Sequence, residues 1–128
     1  MGLFDGVFGK KDNTTEANFN WLPLTSLSQI DEIIEQSKAN TVLVYKHSTR
    51  CGISKMVIKQ LENLFTEEHK SFKVYYLDLL NHRDVSNELA TVFEVVHQSP
   101  QVLVIKNGTC VFNVSHEAIA DMNLSRFL

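Results

Sequence analysis

Two cysteines in 128 residues are too few to staple a fold, which excludes the disulfide-rich scaffolds. There is no apolar run of about 18 residues, the length a membrane-crossing helix needs, and no secretory leader with a cleavage site. The expectation is a cytoplasmic protein, not bound to membranes, whose thiols stay reduced unless chemistry intervenes. An excess of charge of one sign is also missing. Twelve Lys and Arg against 15 Asp and Glu leave a net −3, no field for holding nucleic acid. The five histidines (His47, His69, His82, His97 and His116) lack zinc-like spacing to the cysteines, so no metal site is expected. Internal repeats are absent. What remains is an ordinary globular composition, 44% apolar and 21% charged, in a length that closes one core.

Residues 1–18 differ from the rest. Leu3, Phe4, Val7 and Phe8 would share one face of a short helix that three glycines loosen. This reads as a flexible tail docking loosely on the domain, or as a segment that touches a membrane or partner. A myristoylation signal fails at Gly6, where Ser or Thr would be required.

From residue 19 to 128 the pattern alternates. A helix is predicted over Ser26–Asn40, with Ser26 and Gln29 as a capping box and Leu27, Ile30, Ile33 and Ile34 on one stripe. "TVLVYK" reads as a strand buried on both faces. A second helix follows Cys51, with Met56, Val57, Leu61, Leu64 and Phe65 at helical spacing, through about His69. "FKVYYLDL" is a second strand, and "DVSNELATVFEVV" a third helix capped by Asp84, with Leu89, Val92, Phe93 and Val96 inward. Asn107-Gly108 joins "QVLVIK" to "TCVFNV" as a hairpin. A last helix runs from His116 to the end, with Ser115 as cap and Glu117 near its start. The first two strands should be parallel across a right-handed crossover and the hairpin antiparallel. The result is an α/β fold of three layers, a mixed four-stranded sheet with helices on both faces.

The stretch "YKHSTRCGISKM" places Cys51 where the first strand gives way to a helix. Ser54 stands where a dithiol enzyme carries its second cysteine. A sulfur at the start of a helix meets unpaired backbone N–H groups and the positive end of the dipole, and both favour thiolate. Arg50 and Lys55 add positive charge, and the Ser54 hydroxyl is expected to donate to the sulfur. Gly52 leaves the sulfur sterically open. Ser99-Pro100 precedes a buried strand, where proline's missing N–H is tolerated. In a cis bond the backbone of Ser99 would offer N–H and C=O to a thiol ligand lying across Cys51. Cys110, opposite Ile105 in the hairpin, would lie roughly 16 Å from the Pro100 end, against the about 7 Å a disulfide permits, and reads as packing. His47 and His97 flank the two loops of this site and either tune it or are structural.

Three separated stretches, "KHSTRCGISKM", "HQSPQVLVIKNG" and "SHEAI", resemble in order the YtxJ-type monothiol bacilliredoxins, over about residues 19 to 128. The resemblance implies a thioredoxin-like fold with Pro100 cis and facing Cys51. It implies removal of bacillithiol from S-bacillithiolated proteins, with Cys51 taking the small thiol as a mixed disulfide. No cofactor would be bound; bacillithiol is a co-substrate, and a low-molecular-weight thiol or an external reductase regenerates Cys51. Thr49, Gly52 and Ser54 would surround the thiolate. Ser99 and Pro100 would bind substrate, and Arg50 and Lys55, with Lys46, would hold the carboxylates of bacillithiol. The family motif T-C-P-I-S appears here as Arg50-Cys51-Gly52-Ile53-Ser54, with Thr49 one residue earlier and Gly for Pro. Two other readings remain: a C-G-F-S glutaredoxin, which holds an iron–sulfur cluster between subunits, and a binding module without catalysis.

Overall fold

The computed structural model describes residues 19–128; the expected tail, residues 1–18, lies outside them. In chain order the elements are β1 (Leu22–Pro23), α1 (Ser28–Gln36), β2 (Val42–His47), α2 (Gly52–Leu64), β3 (Lys73–Asp78), α3 (Arg83–Val92), β4 (Gln101–Lys106) and β5 (Thr109–Ser115). Short 3-10 helices occupy Glu67–His69, His116–Asp121 and Leu124–Phe127. The strands form one sheet in the order β1-β3-β2-β4-β5. Strands β2 and β3 are parallel, in register from Val42↔Lys73 to His47↔Asp78, while β2–β4 and β4–β5 are antiparallel. The sheet therefore has five strands rather than four. The addition is β1, which pairs in parallel with β3 through Leu22↔Tyr75 and is too short for alternation to reveal.

Side-chain alternation splits the core in two. On one face α1 and α3 bury Ile30, Ile33, Val85 and Leu89 against Val42, Val44, Leu77, Leu103 and Ile105. On the other, α2 and the C-terminal turns bury Val57, Ile58, Leu61, Ile119 and Phe127 against Leu43, Tyr45, Val102 and Val104. All six residues of β2 are buried, because the strand is central and covered on both sides.

Several element ends differ from the sequence reading, each for a local reason. Gln29 reaches back to accept from the backbone N–H groups of Thr25 and Ser26 (2.7 and 3.0 Å), half of a capping box, and Leu27 stays 49% exposed before the helix begins. Helix α2 stops at Leu64 with Met56 50% exposed, and a separate 3-10 turn carries the chain to His69. Helix α3 starts at Arg83, so Asp84 lies in its first turn rather than at its cap. Its end is a Schellman motif. Glu94 takes φ 55°, and Val95 and Glu94 donate to Ala90 and Thr91. This turn shifts the register, burying Val95 and leaving Val92 and Val96 exposed where both were expected inward. The expected last helix is two 3-10 helices; His116 itself sits at φ 58°, which a continuous α-helix excludes. Asn107 and Gly108 both have positive φ, as a tight two-residue hairpin requires, and Gly108 N–H donates to Ser37 Oγ at 2.7 Å.

Candidate functional site

Strand β2 ends at His47, and the chain must turn before α2 can begin. The Cys51 N–H donates to Ser48 O at 3.0 Å, closing the turn, and the Cys51 carbonyl accepts from Lys55 N–H at 3.2 Å, opening the helix. Cys51 is thus the N-cap residue of α2, in extended conformation (φ −101°, ψ 119°) and half-buried. As N-cap it stands where the unpaired N–H groups of the first turn begin, partly exposed to solvent and with its side chain making no cap hydrogen bond. Thr49, Arg50, Gly52 and Lys55 around it are exposed. A Cβ built on Gly52 would meet nothing within 4 Å, so the chain's own packing does not demand glycine there.

Ser54 departs from its expected role. It is fully buried, and its hydroxyl lies 2.7 Å from His47 Nδ1 and 3.3 Å from Tyr45 Oη, accepts from Ser48 N–H at 3.2 Å, and is not bonded to the sulfur. Tyr45 Oη donates to the Ser54 carbonyl at 2.8 Å. Ser54 therefore acts on Cys51 through the loop: it holds Ser48, and Ser48 holds the Cys51 N–H. Burial pushes the Tyr45 phenol up to about 12, with the charge of Cys51 adding to the rise, so Tyr45 remains a donor at neutral pH. Burial also lowers His47, against the pull of Asp78, which keeps the imidazole neutral and able to accept from Ser54. His47 is accordingly part of the site's scaffold. Removing the Ser54 hydroxyl leaves Ser48 N–H and His47 Nδ1 without their shared partner. Ser54→Ala is expected to cost about 1–3 kcal/mol in urea unfolding at pH 7, whereas a hydroxyl that only touched the exposed sulfur would cost almost nothing.

The antiparallel register Lys46↔Gln101 brings the start of β4 to the sheet end where β2 stops, so Ser99 and Pro100 lie at the same end as the Cys51 loop. The Ser99–Pro100 bond is cis, Pro100 is buried, and its carbonyl accepts from His116 N–H at 3.0 Å. The Ser99 hydroxyl is buried without a hydrogen-bond partner.

Lys46 does not belong with Arg50 and Lys55. Alternation turns it to the α1/α3 side, its side chain is fully buried, and Nζ lies 3.3 Å from His97 Nδ1. Burial lowers its ammonium to about 8. His97 covers it from the surface and is itself lowered, by burial first and then by the charges of Lys46 and Arg83. Cys110 pairs with Ile105, half-buried, its Sγ 3.3 Å from Phe112 O, and burial pushes its thiol up. Sequence reasoning missed Tyr45, whose aromatic ring looked like core packing alone, and Arg83 and Asn81, which only the parallel pairing of β2 and β3 brings beside the Cys51 loop. Among the described residues no cluster of His, Cys, Asp and Glu has the makings of a metal site, and no helix is long and apolar enough to cross a membrane.

The family model described as monothiol bacilliredoxin BrxC matches residues 22–124. The chain belongs to the monothiol bacilliredoxin family. A solved structure of a proposed oxidoreductase with a thioredoxin fold is 30% identical, with a TM-score of 0.69, and the match covers 82% of this bacilliredoxin and 88% of that chain. Thioredoxins from Fasciola hepatica (18% identity, TM-score 0.67, 83% and 98% covered) and Trypanosoma brucei brucei (17%, 0.65, 80% and 83%) share the fold. The bacilliredoxin thus has a thioredoxin-like α/β fold and a thiol redox function.

Proposed function

We propose that this bacilliredoxin removes bacillithiol from S-bacillithiolated proteins in the cytoplasm. The Cys51 thiolate attacks the bacillithiol sulfur of the mixed disulfide. A new S–S bond forms between Cys51 and bacillithiol, the old one breaks, and the target leaves as a thiolate that takes up a proton. A second, external thiol, either bacillithiol or a reductase system, then attacks this new bond and restores Cys51. The observation that carries the reading is a half-exposed cysteine capping α2, with a fully buried serine, not a cysteine, one turn on. With Ser54 unable to form a disulfide and Cys110 beyond the hairpin, the small thiol stays on Cys51 until another thiol arrives. Thr49, Gly52 and Ser54 shape the loop around the sulfur, Ser99 and Pro100 line the substrate's path, and exposed Arg50 and Lys55 attract its carboxylates.

Incubation with a bacillithiolated target followed by mass spectrometry tests this. Bacillithiol is expected on the peptide bearing Cys51 and absent from Cys51→Ser; label on Cys110 alone would sink the proposal.

A further inference from the structure

The geometry points to an anion subsite beside Cys51, built from Arg50 and Arg83, that takes the carboxylates of a small thiol. It rests on the reading of Cys51 just given, shares Arg50 with it, and adds Arg83 from a loop that reading does not use. An open depression of about 400 Å³ is lined by Thr49, Arg50, Leu80, Asn81 and Arg83. Its size lies within the range of small-molecule sites, roughly 300–1,000 Å³. One wall is the loop that ends at Cys51; the other is the loop from β3 into α3. The two meet because β2 and β3 run parallel in register to His47↔Asp78 and release their loops at one end of the sheet.

Both arginines are exposed, and among the described residues neither has a carboxylate partner. The acidic groups at this end are Asp78, whose Oδ2 already accepts from Asn81 Nδ2 at 2.8 Å, and Asp84, which follows Arg83 in the first turn of α3. Each guanidinium offers a planar fork that fits a carboxylate in two hydrogen bonds, and a pair of forks in one hollow suits a ligand with more than one acid group. The Thr49 hydroxyl and the neutral side chain of Asn81 complete the lining. Cys51 does not itself line the hollow but directly follows Arg50, so a thiol ligand seated there can extend its sulfur toward it. Neutral thiols gain nothing from the hollow, so it acts as a selectivity device.

The test uses the full chain with Cys110→Ala, leaving Cys51 as the single thiol. Two aryl disulfides are compared, dithiobis(nitrobenzoate), which carries carboxylates, and neutral dithiodipyridine. In both, the Cys51 sulfur bonds to one half and the other half leaves as a chromophore that reports the rate. Arg83→Ala is expected to slow the carboxylate reagent about threefold and to change the neutral one by less than about twofold. With Arg50→Ala added, the ratio of carboxylate to neutral rate should fall about tenfold, loss of the Arg50 charge beside the thiolate slowing both reagents alike. Arg83→Lys should recover part of the loss, and raising salt from about 0.05 to about 0.5 M should erase the difference between variants. Arginine substitutions that leave this ratio unchanged overturn the subsite alone. A Cys51 inert to both disulfides in the parent protein overturns the reading of Cys51 and the subsite with it.

Discussion

Replacing Cys51 by serine should slow thiol transfer by at least about a thousandfold, the scale of loss when a covalent nucleophile is removed. The geometry leaves no substitute. Cys110 pairs with Ile105 near the hairpin turn, five residues on from Pro100 at the active end, so about five strand rises, roughly 16 Å, separate it from that end. Its sulfur donates to the Phe112 carbonyl, and burial makes its thiol harder to ionise. Cys110→Ala should therefore change turnover by less than about twofold, a difference read from initial rates with a bacillithiolated target under the same thiol supply. Residual activity in Cys51→Ser above about one per cent would mean that another sulfur carries the exchange.

Lys46→Met should stabilise the protein at pH 7 by about 3 kcal/mol, an unusual sign for a buried substitution. The Lys46 ammonium is fully buried, its one side-chain hydrogen-bond partner among the described residues is His97 Nδ1 at 3.3 Å, and its titration falls from 10.5 to about 8. The folded state thus binds this proton less tightly than the unfolded chain does. The penalty is complete below about pH 8, shrinks as the medium rises from there, and is gone above about pH 10.5. A shift of this size corresponds to about 3 kcal/mol at 1.36 kcal/mol per pH unit. Methionine keeps most of the stem's volume and adapts to the gap. Urea unfolding of both proteins at pH 7 and at pH 10 decides the matter: the gain should be large at the first and mostly lost at the second. A Lys46→Met protein less stable than its parent at pH 7 would show that the ammonium is held by more than His97.

The parts of the site that were legible in the sequence are those that neighbours in the chain create. A short apolar run, a polar loop and a helical stripe place Cys51 at a strand-to-helix junction whatever the rest of the molecule does, and it caps α2. The hairpin was legible for the same reason, because Asn107 and Gly108 tolerate the positive φ their turn requires. Ser54 was misread because spacing alone cannot say which side of the first helical turn faces the core. Here Tyr45 and His47, inward-facing residues of β2, draw its hydroxyl away from the sulfur. Lys46 was misread by its charge, since its place in a strand covered on both faces outweighs the cost of drying an ammonium. Two helix boundaries went astray at a residue in left-handed conformation: Glu94 ends the helical period of α3, and His116 stands at the start of the expected last helix.

By itself the sequence determined the order of elements from α1 to β5, the burial of the central strands and the one cysteine standing at a helix start, because all of these follow from periodicity and turn chemistry within a dozen residues. Tertiary structure decided what surrounds that cysteine. The parallel register of β2 with β3 sets Arg83 beside Arg50, and the antiparallel register of β2 with β4 brings Pro100 to the same end. Those partners are far apart along the chain, and only strand pairing, which satisfies backbone hydrogen bonds across the sheet, makes them neighbours.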